Sequence, residues 1–114
     1  MTDEVRHTVD GVISALADPT RRQLLDLLAA HGEVTATTLA EQMPVSRQAI
    51  VKHLAVLDAA GLATARKSGR EVLYAVRPDA LNATARWMAA LATEWDRRLA
   101  AIKRIAEAAE RDSR

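Results

Sequence analysis

The chain has 114 residues, a net charge of +1 and no cysteine, so disulfides, thiolate metal sites and a cysteine nucleophile are excluded. Alanine fills 24 positions, leaving 32 Val, Ile, Leu, Met, Trp and Tyr residues to build a core. That suits one small domain, residues 1–114, short enough to gain from a partner.

The predicted elements follow in chain order. Val5, Val9, Val12, Ile13 and Leu16 recur at helical spacing, which predicts a first helix over residues 5–17, weakened by Gly11. Asp18-Pro19 reads as an N-cap with proline at the first helical position. The second helix carries the stripe Leu24, Leu25, Leu27 and Leu28 and ends at His31-Gly32. Arg21 and Arg22 sit in its first turn, where the macrodipole disfavours cations, so a structural salt bridge is expected there. Glu33-Val34 is a short extended link, and Thr35 caps a short third helix with Leu39, Ala40 and Met43 inward, stopped by Pro44. Ser46 caps a fourth helix over residues 47–60. Gly61 is the expected left-handed stop, with Leu57 and Leu62 placed to touch across it.

After Gly61 the apolar period changes from 3.6 to 2. Residues 63–67 and 72–76 read as strands joined by the turn Ser68-Gly69-Arg70-Glu71, a β-hairpin. Arg77-Pro78 ends it, and a last helix is expected over residues 79–110. There Leu81, Met88, Trp95 and Ile102 repeat every seven residues, with Ala85, Ala92, Leu99 and Ala106 as the companion row, a seam suited to pairing with another helix. The order is α-α-α-α-β-β-α, mainly α with a small β-hairpin. Two helices joined through Pro44-Val45-Ser46 and followed at once by a hairpin describe a winged helix-turn-helix.

On a helical wheel the fourth helix turns Ala49, Ile50, Leu54 and Leu57 inward. Gln48, Val51, Lys52 and Ala55 face out, with Arg47 on the flank. Such a helix fits a DNA major groove. Arg47 suits guanine, Gln48 adenine, Val51 a thymine methyl, and Lys52 a phosphate or guanine. The free N–H groups beginning at Ser46 can hold a phosphate. Lys67 and Arg70 flank Gly69 at the hairpin tip, placed to follow the backbone or enter the minor groove. Residues 44–77 hold six basic and two acidic side chains, so a local excess of positive charge sits on a near-neutral chain. Catalysis has no candidate constellation, and the chain is not expected to be an enzyme or to hold a cofactor. No apolar run approaches the roughly 18–20 residues of a membrane span. Met1-Thr2-Asp3-Glu4 does not open like a signal peptide, so a cytoplasmic location is expected.

Residues 16–28 (Leu16-Ala17-Asp18-Pro19-Thr20-Arg21-Arg22 onward) resemble the opening of the ArsR-type winged-helix family. Val45-Ser46, Ala49, His53-Leu54, Leu57 and Ala60-Gly61-Leu62 resemble its recognition helix, and Arg66, Gly69-Arg70 and Tyr74 its wing. The resemblance implies a homodimeric transcription factor, usually a repressor, dimerising through its first and last helices. Double-stranded DNA is then the partner, bound as an inverted repeat near a promoter, through Ser46, Arg47, Gln48, Val51, Lys52, Lys67 and Arg70. The dimer interface would include Leu81, Met88, Trp95, Leu99 and Ile102. Metal-sensing members carry Cys-x-Cys in the third helix or Asp/His ligands in the last. Here the third helix reads Thr37-Thr38-Leu39-Ala40-Glu41-Gln42-Met43 and residues 79–110 contain no histidine, so no metal site is expected and the effector is unknown. The alternative is a winged-helix protein-interaction module that does not bind DNA.

Overall fold

The computed structural model describes residues 2–113. The elements are α1 (Asp3–Leu16), α2 (Pro19–His31), α3 (Ala36–Glu41), α4 (Arg47–Ala59), β1 (Ala63–Ser68), β2 (Glu71–Val76) and α5 (Asp79–Asp112), in the expected order. By contact the chain divides into two compact units, residues 1–84 and 85–114. The first holds the helix-turn-helix and the hairpin; the second is the remainder of α5.

Short polar side chains set the helix starts. Thr2 Oγ1 accepts the Val5 N–H at 3.2 Å, so α1 begins two residues before its apolar stripe predicts. Asp18 Oδ1 accepts from the N–H groups of Thr20 at 2.7 Å and Arg21 at 3.3 Å. Thr35 Oγ1 accepts from Thr38 N–H at 3.2 Å, and Ser46 Oγ from Ala49 N–H at 3.1 Å.

The ends use a different device at α1. Its last turn contains no basic residue, and its final carbonyls have no helical partner. Arg21 and Arg22 reach back from α2 to fill that role. Arg21 Nε donates to Ala15 O at 2.6 Å and Arg22 Nη1 to Leu16 O at 2.6 Å. The expected salt bridge exists only as a longer contact, Arg21 Nη1 to Asp18 Oδ2 at 3.6 Å. Two cations disfavoured by their own helix thus sit at the negative end of another.

At the end of α4, Gly61 takes φ 77°, with its N–H on Asp58 O at 2.9 Å and the Leu62 N–H on Leu57 O at 2.9 Å. This is the Schellman pattern that Leu57, Gly61 and Leu62 predict. It turns the chain directly from α4 into the hairpin, where Leu62 and Ala63 are buried.

The core gathers Val12 and Ala15 of α1, Leu24, Leu25 and Leu28 of α2, Leu39 of α3, Ile50, Leu54 and Leu57 of α4, and Leu62. Each fully buried Leu or Ile contributes about 1.5–3 kcal/mol of transfer free energy. The strands are antiparallel, from Ala63 opposite Val76 to Ser68 opposite Glu71. Ser68 and Glu71 therefore belong to the ladder, and the turn proper is Gly69-Arg70. Positive φ at Gly69 (63°) with Arg70 on the negative side is the type II′ form, one of the two that match strand twist. The Glu33-Val34 link is more than a connector: Val34 and Tyr74 exchange two backbone hydrogen bonds, N–H to O at 3.1 and 2.8 Å. This bridge fastens the hairpin to the chain entering α3.

Two glycines should respond oppositely to alanine. A Cβ at Gly61 would meet Ala80 Cβ at 3.3 Å on a left-handed backbone, so Gly61→Ala should cost about 1–2 kcal/mol. A Cβ at helical Gly11 meets nothing within 4 Å, so Gly11→Ala should gain about 0.5–1 kcal/mol. Thermal or urea unfolding checks both signs. A third expectation concerns Asp18. Partial desolvation pushes its carboxyl up, but the N–H groups of Thr20 and Arg21 and the charges of Arg21 and His53 outweigh this and hold it below the usual value. The folded value lies below the unfolded one, so the stabilisation is present above the ordinary aspartate range and lost as pH falls through the folded value. The stability gap between wild type and Asp18→Asn in urea should accordingly be widest near neutrality and close in acid.

Candidate nucleic-acid interface

Burial decides which face of α4 is available. Ile50, Leu54 and Leu57 are fully buried, and Ala49 and His53 are half-buried. Arg47, Gln48, Val51, Lys52 and Ala55 are exposed, together forming one face of the helix. Val51 in that position is an apolar side chain left 37% open to solvent. Arg47, Gln48 and Lys52 flank it on this face, with the small Ala55 one turn on.

The short helix α3 holds this face in place. Leu39 is fully buried and Met43, in the turn after α3, nearly so. Val45 packs on the same core. His31 Nε2, at the end of α2, lies 3.0 Å from Gln42 Oε1, with the ring nitrogen as donor, and ties α2 to the α3–α4 turn. Arg47 is also fixed: its Nε donates to Thr37 Oγ1 at 3.2 Å. The sequence marks Thr35 as the α3 cap and gives no sign of a role for Thr37. Nothing in apolar periodicity marks a hydroxyl that meets a side chain ten positions away.

A cleft of about 510 Å³ separates α3 and α4 from the hairpin. Arg47, Val51, Thr37, Arg70 and Tyr74 line it. Three of the expected site residues, one on the hairpin turn and two on α4, therefore open onto one concavity. Ser46, the α4 cap, and Gln48 and Lys52 on α4 are exposed, and Lys67 is exposed on β1 opposite Val72.

Not all of the local basic charge is free. Arg66 makes a two-pronged pair with Glu33, Nε to Oε2 at 3.0 Å and Nη2 to Oε1 at 3.1 Å. It joins β1 to the link before α3 and neutralises one of the cations counted in residues 44–77. Among the described residues, no group of three or more His, Asp or Glu side chains is placed to hold a metal ion, and no helix is long and apolar enough to cross a membrane.

The second unit presents a different surface. Met88, Leu91, Trp95, Leu99, Ile102 and Ile105 on α5 are exposed, from 42% at Leu91 to 71% at Ile105. Trp95 carries the Arg98 guanidinium 5.4 Å from its ring centroid, and Arg98 pairs with Glu94 at 3.1 Å. Leu81, in the first unit, is 36% exposed. Trp87 is half-buried.

Four helices, a capped turn into the fourth and a hairpin with a two-residue turn define a winged helix-turn-helix. Residues 16–66 match the family model described as a helix-turn-helix domain. The chain is 34% identical over 80 residues to the transcriptional repressor SdpR of Bacillus subtilis, covering 70% of this chain and 88% of that protein. An ArsR-like transcriptional regulator from Rhodococcus sp. RHA1 superposes with a TM-score of 0.78 at 47% identity, over 87% of this chain and 92% of the other. The homodimeric winged helix-turn-helix DNA-binding domain of a Mycobacterium bovis protein matches with a TM-score of 0.61 at 29% identity, over 84% and 88% of the two chains. The chain belongs to the ArsR-type family of winged helix-turn-helix transcriptional regulators.

Because the Arg66–Glu33 pair is exposed on both sides, Arg66→Ala should lower stability by less than about 1 kcal/mol. Urea unfolding checks this. A larger loss would make the pair a structural requirement of the hairpin.

Proposed function

We propose that the protein is a homodimeric repressor that binds an inverted repeat near a promoter and does not sense through thiols. The observation that carries the DNA reading is the convergence of the exposed face of α4 and the hairpin tip on one cleft, with Arg47, Val51 and Arg70 on its walls. In this reading α4 enters the major groove, and Arg47, Gln48 and Val51 meet base edges. Lys52 and the N–H groups following Ser46 take phosphates, and Lys67 and Arg70 follow the backbone from the hairpin. Phosphate contacts hold the register and base contacts choose the sequence.

The dimer has separate support. The exposed α5 row Met88, Trp95, Leu99 and Ile102 is an apolar surface that a lone chain of 12.4 kDa leaves in water, and Leu81 of the first unit is exposed as well. The M. bovis domain, which has the same architecture, is homodimeric. Two-fold symmetry in the protein requires two matching half-sites in the DNA. With no cysteine in the chain, any effector or partner that relieves repression acts without a thiol, and a repressor with no effector at all fits equally well.

The test begins with a duplex selected by the purified protein from a random pool, followed by affinity measured against salt. Lys67→Ala and Arg70→Ala should each weaken operator and random DNA alike and reduce the salt slope by about one. Arg47→Ala should instead cost about 1–3 kcal/mol on the operator alone. Failure to select any duplex, or equal loss on both DNAs for Arg47→Ala, contradicts the reading; the former favours a protein-interaction module.

A further inference from the structure

The geometry points to Thr37 as a positioning residue for base recognition: its hydroxyl occupies one edge of the Arg47 guanidinium and leaves the other free for a guanine. This rests on the proposed role of Arg47 at a base edge and adds a residue on a different helix that sets how Arg47 is presented.

A guanidinium offers two forks of paired donors. One is its side, through Nε and one Nη; the other is its end, through Nη1 and Nη2. Arg47 Nε already donates to Thr37 Oγ1 at 3.2 Å. The end fork is left to pair with guanine O6 and N7. Arg47 is the first residue of α4, where the helix dipole repels a cation, so the side chain is favoured in leaning away from its own helix. The hydroxyl of Thr37 on α3 accepts from it there.

The neighbouring threonines have other engagements. Thr35 Oγ1 accepts the Thr38 N–H and donates to Thr38 Oγ1 at 3.1 Å, closing those two hydroxyls on each other at the start of α3. Thr37 is exposed, and it lines the same cleft as Arg47 and Arg70. The burial of Leu39 and Ile50 holds α3 and α4 in fixed relation, which keeps Thr37 within reach of Arg47. The contrast with Arg66 is chemical. Arg66 is held by the carboxylate of Glu33, which cancels its charge. Arg47 has no carboxylate partner among the described residues, and the neutral hydroxyl orients it while leaving its charge for DNA.

The experiment uses the full chain and the duplex selected by the wild-type protein, together with duplexes in which each guanine of a half-site is replaced in turn, and random DNA. Thr37→Val removes the hydroxyl at nearly constant shape, Thr37→Ser keeps it, and Arg47→Ala removes the reader. Thr37→Val should lose about three- to tenfold of discrimination at the same guanine that Arg47→Ala affects. Its binding to random DNA and its salt slope should stay at wild-type values. Thr37→Ser should restore discrimination, and the double variant Thr37→Val/Arg47→Ala should be no worse than Arg47→Ala alone. The inference is overturned if Thr37→Val binds as wild type. It is equally overturned if Thr37→Val weakens operator and random DNA to the same extent, the signature of a phosphate contact or a structural role. If Arg47→Ala itself leaves every guanine preference intact, the base-reading assignment falls, and this inference falls with it.

Discussion

Ile50, Leu54 and Leu57 have no surface left for solvent, and with them α4 cannot rotate about its axis without exposing about 1.5–3 kcal/mol of burial at each position. Everything on the opposite face follows from that constraint. Arg47, Gln48, Val51 and Lys52 are directed outward because these three are directed inward. Ser46 fixes where the helix begins and Gly61 where it stops, so the outward residues have a set height as well as a set direction. The same Gly61 stop delivers Leu62 and Ala63 into the core and starts the hairpin. The helix and the hairpin are thus positioned by one contiguous stretch of chain.

The electrostatics are local. A net charge of +1 attracts nothing in particular. The cations matter because the fold collects several of them around one cleft and its margins. Charge counting along residues 44–77 overstates that supply, because Arg66 is already committed to Glu33. The remaining cations differ in how firmly they are held: Arg47 is anchored through its Nε, whereas Lys67 and Arg70 stand exposed on the hairpin. An oriented guanidinium suits a fixed pattern of base acceptors, and loosely held cations suit a phosphate backbone.

What could be read from the sequence was local. Asp18-Pro19, Thr35, Ser46 and Gly61 each announce a helix boundary through chemistry within a few residues, and the wheel of α4 needs only its own thirteen positions. The change of period after Gly61 likewise announces the hairpin. Pairings between elements could not be read this way. Arg21 and Arg22 look misplaced until the end of α1 is brought beside them. The Val34–Tyr74 bridge, the Arg66–Glu33 pair and the Arg47–Thr37 bond join residues separated by forty, thirty-three and ten positions. Each is a polar contact created by packing, and apolar periodicity carries no trace of it. One chain's residues point to DNA through the outward face of α4 and the basic hairpin, and to a dimer only through an exposed seam; the family resemblance adds the expectation that the two go together.

In the proposed dimer two α4 helices, each held by its buried stripe, meet DNA one helical turn apart. The cysteine-free chain allows a direct test. A single spin label at Gln48→Cys places one probe on the outward face of each α4, and pulsed dipolar spectroscopy reads the distance between them in the free protein. A peak at about 34 Å is the predicted result. Loss of dipolar coupling at concentrations well above those used for binding, or a separation that cannot bridge successive major grooves on one face of a duplex, would contradict the account.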